Sequence, residues 1–556
     1  MQKHPTPKLF IVVAGLVAAM TLAGCEKTVS LDLQLVEPCG QDNQALNGVT
    51  SYRVLSSGTE TTDVAAFNVD QGASGISLGL GEGVIVTVEG YSENITLEDD
   101  PTKPTVRPRS VGRTMPLAVT EASQNMDAAL MVGKVDSFGA PRALDGTCPT
   151  MTADAPVVGR HAHTATFIPG VNKVLLFGGA VWTRNDQGQA TESILDTAEL
   201  YDPATGSFTK LPPLANSRAY HTATALPDGR VLIAGGLGVV NGEIISLING
   251  VVVDVRNTNE PYRPIGLRQQ RAHHTATLLS DVGLVALIGG CTGAGAASGC
   301  TPDGARGGST NLTTSVEVID INKIDDAQFS VPGESLINPR AMHAAVGYNT
   351  GNTSIIVISG GLNDTGTLCD LEVLQVSQGA LANITVEAGL RGLPDGKCPV
   401  RHQMIPYDGD RFVIIGGQTT ASGGALNPAA VGSSDVFFCS KTGGVGCDDV
   451  PVAQLLAGRY GHGAVKLIDG AILVVGGVTV AGAATSEVLA SNPATRAIEA
   501  RVTTGTLGVA RDRGVVTMLG GDSAPAGFVN QVLYTGGHGI TAPFITSNGT
   551  DIYFGP

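Results

Sequence analysis

At 556 residues the chain is too long for one hydrophobic core, so two or more structural units are expected. Its 74 glycines, its 4% aromatic content and an ordinary 42% hydrophobic content favour a turn-rich all-β protein over a disordered one. The formal charge is −16, from 34 basic and 50 acidic residues, and there is no basic run; this argues against the phosphate-neutralising stripe of a nucleic-acid binder.

The first 24 residues read as an address. Lys3 and Lys8 give a positive start, and Leu9 to Ala19 is apolar but too short to span a bilayer as a stable helix. Leu22-Ala23-Gly24-Cys25 then resembles the bacterial lipoprotein box. That resemblance implies cleavage before Cys25, acylation of Cys25 and a mature chain held at a membrane by lipid. Glu26 after the cysteine implies the outer membrane, facing either the periplasm or the cell surface. Cleavage removes two lysines and no acids, leaving a formal charge of 32 − 50 = −18. Eight further cysteines, an even number in an exported chain, are expected to form disulfides. Proximity suggests Cys291–Cys300 and Cys439–Cys447 as loop staples, Cys369–Cys398 between neighbouring repeats and Cys39–Cys148 bracing the N-terminal region; other connectivities stay open. No Cys-x-x-Cys pair occurs, so neither a metal nor another cofactor is expected.

Residues 25–43 read as lipid anchor and tether. Over 44–135, short alternating runs predict a small antiparallel β-sandwich-like domain: Tyr52–Leu55, Ile76–Leu78, Val84–Val88 and Met115–Val119, interrupted by the polar insertion Pro101–Pro108. The Cys…Trp…Cys signature of a true immunoglobulin domain is missing. Ala128–Val135 would close this domain or lend an outer strand to the C-terminal region, and 136–159 is a connector or closing strand.

From Arg160 to the end at residue 556 one pattern repeats. Its best-formed copy runs from Arg218 to Gly236: an Arg-x-x-His start, a strand over His221–Leu226, an Asp228-Gly229 turn, an apolar strand Val231–Ala234 and the pair Gly235-Gly236. Apolar runs ending in diglycine recur with first glycines at 178, 235, 289, 360, 416, 476 and 536, in steps of 57, 54, 71, 56, 60 and 60. Third-strand signals such as Ala198-Glu199-Leu200-Tyr201-Asp202-Pro203 follow most of them. A period near 50–60 with four short strands per unit is the signature of a β-propeller. The diglycines and the Tyr-Asp-Pro ending resemble the Kelch repeat family over about 155–556, which implies seven blades and closure by a strand borrowed from the other terminus. Three departures stand out. Trp182 is the chain's one tryptophan, so the family's fourth-strand tryptophan is replaced by residues such as Phe208. The fifth unit offers Arg401-His402 with no histidine at the expected place, and the seventh offers Arg511-Asp512-Arg513 with none. The second unit's third strand, within Ile244–Val255, is poorly marked.

Repetition also ranks the chemistry. His163, His221, His274, His343 and His462 share one repeat position, and ligands must converge rather than ring an axis, so local hydrogen bonding is the favoured reading. His161, His273 and His538 stand outside the pattern. Arg160, Arg218, Arg271, Arg340, Arg401, Arg459 and Arg511 are candidate channel-mouth binding residues, whose guanidinium forks suit a carboxylate or sulfate. The favoured alternative is that each pairs with a carboxylate or carbonyl of the scaffold. The unlike loops 180–193, 237–250, 291–312 and 418–433 are further places to bind. The expectation is a non-enzymatic envelope lipoprotein binding an unknown protein or glycan. The alternative is a carbohydrate-active propeller enzyme, galactose oxidase-like or sialic acid mutarotase-like, although no unphased His/Glu pair stands out for acid–base work.

Overall fold

The computed structural model describes residues 28–39, 45–58, 64–68, 76–96, 107–114, 117–120, 123, 125–139, 159–184, 190–293, 311–326, 330–332, 335–349, 353–377, 384–387, 392–394, 396–409, 411–420, 432–440, 445–479, 485–491, 498–506, 511–519, 531–538 and 550–554. The address segment 1–24 and Cys25 lie outside them. Among the described residues there is no α-helix, and hence no helix long and apolar enough to cross a membrane.

The tether assignment for 25–43 is corrected by Thr28–Val36, which is a strand. Val29, Leu31, Leu33 and Leu35 alternate with polar residues and are buried, a period of two that builds a half-buried strand. It lies inside an eight-stranded sheet ordered Val64–Asn68, Ser51–Ser57, Gly81–Tyr91, Ser110–Arg113, Asn125–Lys134, Thr28–Val36 and Ile76–Gly79, with Leu117–Val119 paired to Gly81–Tyr91. The sheet departs from the expected all-antiparallel arrangement in one place, where Ser30–Val36 runs parallel to Asn125–Met131. The long strand Asn125–Lys134 serves both arms of the sheet, pairing with Thr28–Val36 through its first part and with Ser110–Gly112 through its last. The sheet therefore folds over, and Leu33, Tyr52, Val86 and Leu130 from separate strands share one core.

Among the described residues, seven antiparallel sheets of four strands come next, the fifth with one extra short strand, beside five two-stranded ones. The second is typical: Thr222–Ala225, Val231–Ala234, Asn249–Val253 and Tyr262–Gly266. Val231–Ala234 is buried throughout, as a short wholly apolar strand between two neighbours must be. The poorly marked third strand is thus Asn249–Val253. The first strands of successive sheets lie side by side all the way round, and the last, Val515–Met518, meets the first, Thr164–Ile168. Thr517 Oγ1 donates to Ala165 O at 2.9 Å across that seam. Phe208 sits in a fourth strand beside Tyr201, ring centroids 4.8 Å apart. Disulfides join Cys369 to Cys398 and Cys439 to Cys447, the latter directly opposite each other on paired strands. Cys39 and Cys291 are also disulfide-bonded, while Cys148 and Cys300 lie outside the described residues. The architecture is that of a β-propeller.

The last sheet takes its fourth strand from the other end of the repeat region. Ser137–Gly139 pairs antiparallel with Thr550–Phe554. The donor thus lies in the 136–159 stretch expected to be a connector or closing strand, and not in Ala128–Val135. Val111 and Met131 of the N-terminal sheet pack with Leu533, Ile552 and Phe554 of the last sheet and Leu176 of the first, so this sheet sits on the closing seam. The Arg113 guanidinium donates to Leu519 O there.

Candidate functional site

Each unit starts with a four-residue segment, and the structure gives each position its own task. In order the segments are Arg160-His161-Ala162-His163, Arg218-Ala219-Tyr220-His221, Arg271-Ala272-His273-His274, Arg340-Ala341-Met342-His343, Pro399-Val400-Arg401-His402, Arg459-Tyr460-Gly461-His462 and Arg511-Asp512-Arg513-Gly514.

The first position is structural. The carbonyls of Arg218, Arg271, Arg340, Pro399, Arg459, Arg511 and Arg160 accept the N–H of the second glycine of the preceding unit, at 2.8–3.0 Å. The seventh unit returns to the first, from Gly537 N to Arg160 O. The first glycines hold φ between +57° and +69°. A Cβ at Gly235 would meet Arg271 O at 2.4 Å, so only glycine fits this turn. The arginine side chain turns back into its own unit. Arg160, Arg218, Arg271, Arg340 and Arg459 donate to the first-glycine carbonyl at 2.7–3.0 Å. Most also meet a buried third-strand carboxylate: Arg160 with Glu199 at 3.0 Å, Arg340 with Glu372 at 2.5 Å, and Arg459 with Glu487. Arg271 lies 3.7 Å from Glu317, and Arg511 meets Asp551. In the second unit Asn249 Oδ1 takes the carboxylate's place, 2.8 Å from Arg218. Burial draws the Arg218 and Arg271 guanidiniums down to about 10.

These six arginines are no more than 1% exposed and do not face the channel mouth, which corrects their candidacy as binding residues. Arg401 is a correction of register as well. Pro399 occupies the arginine position of the fifth unit, Lys397 reaches the carboxylate of Asp435 at 2.5 Å in the arginine's stead, and His402 falls in phase with the other histidines.

The fourth position ties one unit to the one before. His221, His274 and His343 Nε2 bond Thr164, Thr222 and Thr275 Oγ1 at 2.9–3.0 Å, and His163 bonds Thr535 at 2.9 Å. Where Ala344 replaces the threonine, His402 has no ring-nitrogen partner among the described residues. Burial, followed by the neighbouring arginine of the same segment, pushes His163, His221, His274 and His343 far below the ordinary imidazole range. Burial brings His402 and His462 to about 3. These are neutral scaffold groups.

The third position forms the mouth. Ala162, Tyr220, His273, Met342, Arg401, Gly461 and Arg513 all hold left-handed φ of +51° to +65°. Their backbones are linked in series: each N–H from Tyr220 to Arg513 donates to the carbonyl of the preceding member at 3.0–3.2 Å. Together they rim a central cavity of about 310 Å³, with the repeat histidines beneath. A left-handed backbone is uncommon for Tyr, His, Met or Arg, and the serial hydrogen bonds hold it in place here.

The second position divides the seven units into two arcs. It bridges the residue after each diglycine, as Ala219 to Leu237, Ala272 to Cys291 and Ala341 to Leu362, and these pairs are apolar. Met342, Leu362 and Val400 pack together on that arc. In the sixth, seventh and first units the position is polar: Tyr460, Asp512 and His161. There Arg513 Nη1 donates to Tyr220 OH at 2.8 Å, and Tyr220 OH donates to Glu192 Oε1 at 3.3 Å. His161 Nε2 is 3.1 Å from the same Glu192 oxygen. Asp512 Oδ2 lies 3.4 Å from Arg513 Nε and 3.5 Å from His538 Nε2. The His161 ring is edge-on to His538 at 5.0 Å and stacks on Trp182 at 6.2 Å; Tyr220 and His273 rings are 4.4 Å apart. Burial, then the nearby Arg513 charge, lowers the Arg401 guanidinium, and burial with Asp512 raises the Tyr460 phenol.

Of the three histidines outside the repeat, His273 lines the cavity, while the rings of His161 and His538 lie edge-on 5.0 Å apart. An unphased His/Glu pair does exist, in His161 and Glu192, contrary to the expectation from sequence. Glu192 lies in the strand Ala190–Ile194, which forms a hairpin with Ala180–Arg184 inside one of the long loops. Sequence reasoning does not single out Tyr220, Tyr460, Arg513 or Glu192; the signal for the first three is a motif position that varies between two that repeat. Among the described residues no group of three or more His, Cys, Asp or Glu side chains is placed to hold a metal ion.

No protein-family model matches the chain. Putative adagio-like protein 2 of Oryza sativa subsp. japonica is 28% identical over 284 residues, covering 48% of this chain and 39% of that protein. Adagio-like protein 1 of the same organism is 27% identical over 285 residues with the same coverage. The chain therefore spans about two fifths of the length of the curated relatives it matches. Among solved structures, the one titled "Structure of YjhT" shares 13% identity with a TM-score of 0.43, covering 62% of this chain and 98% of that one.

Proposed function

We propose that this protein is a cell-envelope lipoprotein, anchored at Cys25, whose seven-bladed Kelch-type propeller binds a glycan or protein group at its central mouth. The β-sandwich-like module ahead of the propeller holds the closing seam. Supporting this is the contrast within one motif: the first and fourth positions repeat and are buried, whereas the third lines a cavity with a different side chain in nearly every unit. The repeat imposes left-handed backbone at all seven third positions, yet it does not require the side chains of Tyr220, His273, Arg401 and Arg513 there, and these line the cavity. The anchor rests on the Leu22–Cys25 box, and the Cys369–Cys398 and Cys439–Cys447 disulfides suit an exported chain.

Glycan and peptide arrays probed with the full chain test the binding role. Ligand capture is expected to fall with Tyr220→Ala while the unfolding midpoint stays near that of the parent; capture indifferent to every rim substitution would sink the reading. Cys25→Ser is expected to release the chain from the membrane fraction.

One observation favours an enzymatic second reading. His161 Nε2 and Glu192 Oε1 lie 3.1 Å apart, and an imidazole next to a carboxylate is the combination that acid–base chemistry uses. Turnover of reducing sugars, followed by NMR and lost in Glu192→Gln, would establish it.

A further inference from the structure

The seam between the fourth and fifth units lacks two ties that other seams have. At three of those, the amide of the first position crosses to the unit before: Arg218 N donates to Leu195 O at 3.0 Å, Arg271 N to Leu247 O at 3.2 Å and Arg459 N to Ser433 O at 3.1 Å. Pro399 holds that position in the fifth unit and has no N–H to donate. The histidine tie is missing too, because Ala344 gives His402 no hydroxyl. The next seam also lacks a threonine, but there Gln403 Nε2 donates to His462 O at 2.9 Å.

A covalent bond crosses the poorer seam. Leu368 N donates to Gly361 O at 2.9 Å, as Leu195 N does to Gly179 O and Leu247 N to Gly236 O, so Leu368 is the counterpart of those two acceptors. Cys369 directly follows Leu368, Cys398 directly precedes Pro399, and the two are joined as a disulfide. The bond therefore lies beside the hydrogen bond that proline removes. Each end is anchored in its own unit: Asp370 meets Arg340 at 2.8 Å, and Lys397 meets Asp435 at 2.5 Å. The rim residues Met342 and Arg401 face each other across this seam, through Arg401 N to Met342 O at 3.2 Å.

We infer that Cys369–Cys398 is a redox latch on the mouth, which holds the fourth and fifth units together when oxidised and frees the rim between Met342 and Arg401 when reduced. With the latch open, the motif keeps only that rim bond, Gly361 N to Pro399 O at 3.0 Å, and the packing of Met342, Leu362 and Val400. Cys398 is fully buried and Cys369 half-buried, so an incoming thiolate reaches the Cys369 sulfur first. A mixed disulfide forms on Cys369 and Cys398 leaves as a thiolate. The second thiol of a dithiol reductant then displaces Cys369. Both cysteines take up the protons, the dithiol becomes a disulfide, and two electrons have passed to the protein. Cys439 and Cys447 differ in both respects: they are 1% and 3% exposed, and they pair within one sheet, crossing no seam. The latch does not depend on which ligand the mouth takes.

Dithiothreitol titration of the full chain, followed by alkylation and mass mapping, is expected to reduce Cys369–Cys398 before Cys439–Cys447. Hydrogen exchange then compares two seams. In the reduced protein, and in Cys369→Ala with Cys398→Ala, exchange at the Gly361 and Arg401 amides is expected to rise about tenfold or more, while the matching amides Gly236 and His273 stay within about twofold. Ala344→Thr added to the double variant is expected to win back part of that protection, since it gives His402 the partner its counterparts have. Equal rises at both seams would mean that the disulfide stabilises the propeller as a whole, and no rise would mean that it holds nothing at the seam; either overturns the latch. Reduction of Cys439–Cys447 first would overturn it as a switch. If the double variant fails to fold, exchange in the reduced parent protein decides.

Discussion

Arg218 and Tyr220 are two residues apart in one segment, yet they belong to different rings of the molecule. Arg218 and its counterparts are sealed inside, paired with diglycine carbonyls and, in most units, a carboxylate. Tyr220 and its counterparts rim a cavity, and nearly every unit has a different side chain there. The inner ring solves the same problem seven times, so it receives nearly the same residues. The outer ring faces one shared space, where seven positions make one site and sameness has no advantage. Repetition within a chain thus separates scaffold from site without any knowledge of the ligand.

The inner ring is where acid should act first. His163, His221, His274, His343, His402 and His462 are buried and neutral, with His402 and His462 held at about 3. Unfolded histidines titrate near ~6.5, so between about pH 6.5 and 3 the unfolded chain binds protons that the native chain refuses. Stability is therefore expected to fall as pH drops through that window, by up to ~1.4 kcal/mol per histidine for each pH unit. Denaturant midpoints at pH 7, 5 and 4 check this, and His402→Gln should flatten the slope by about one proton. A midpoint unchanged to pH 4 would refute it.

A single break in the same ring should cost somewhat less. Glu487→Ala leaves the Arg459 guanidinium without its carboxylate and strips the Leu456 amide of its acceptor at 2.6 Å. Uncompensated buried charge costs roughly 3–5 kcal/mol. Replacing both partners, as Arg459→Met with Glu487→Leu, should recover much of the loss in a double-mutant cycle. Equal losses in the single and double variants would mean that the pair is not what matters.

The scaffold is largely legible in the sequence because its signals are local and repeated: diglycines, apolar four-residue strands, the Asp228-Gly229 turn. The misreadings have identifiable causes. Arg401 reads as an inner-ring residue because Pro399 breaks the pattern and the next arginine lies only two positions on. Thr28–Val36 alternates cleanly, but its place directly after an anchoring cysteine suggests a tether. The closing strand Ser137–Gly139 has three residues, too few to show a period. The mouth is hidden for a different reason. Its members lie as far apart as Ala162 and Arg513, and only closure of the ring brings those two to one cavity.

The two rings should also answer glycine and its removal in opposite ways, which gives the finest test of the contrast. Gly235 holds φ of +57°, and an added Cβ would lie 2.4 Å from Arg271 O, the acceptor of Gly236 N–H. Gly235→Ala is expected to cost ~1–3 kcal/mol, from left-handed strain and loss of that link. His273 has nearly the same φ, +53°, but its side chain points to the mouth. His273→Gly relieves about 1 kcal/mol of left-handed strain and forfeits a Tyr220 ring contact of about the same size. Its net effect on unfolding free energy should stay within ~1 kcal/mol, while ligand capture at the mouth falls. Gly461 already shows that the ring tolerates glycine at this position. If His273→Gly proved as destabilising as Gly235→Ala, the third position would be scaffold too, and the separation between the rings would have to be given up.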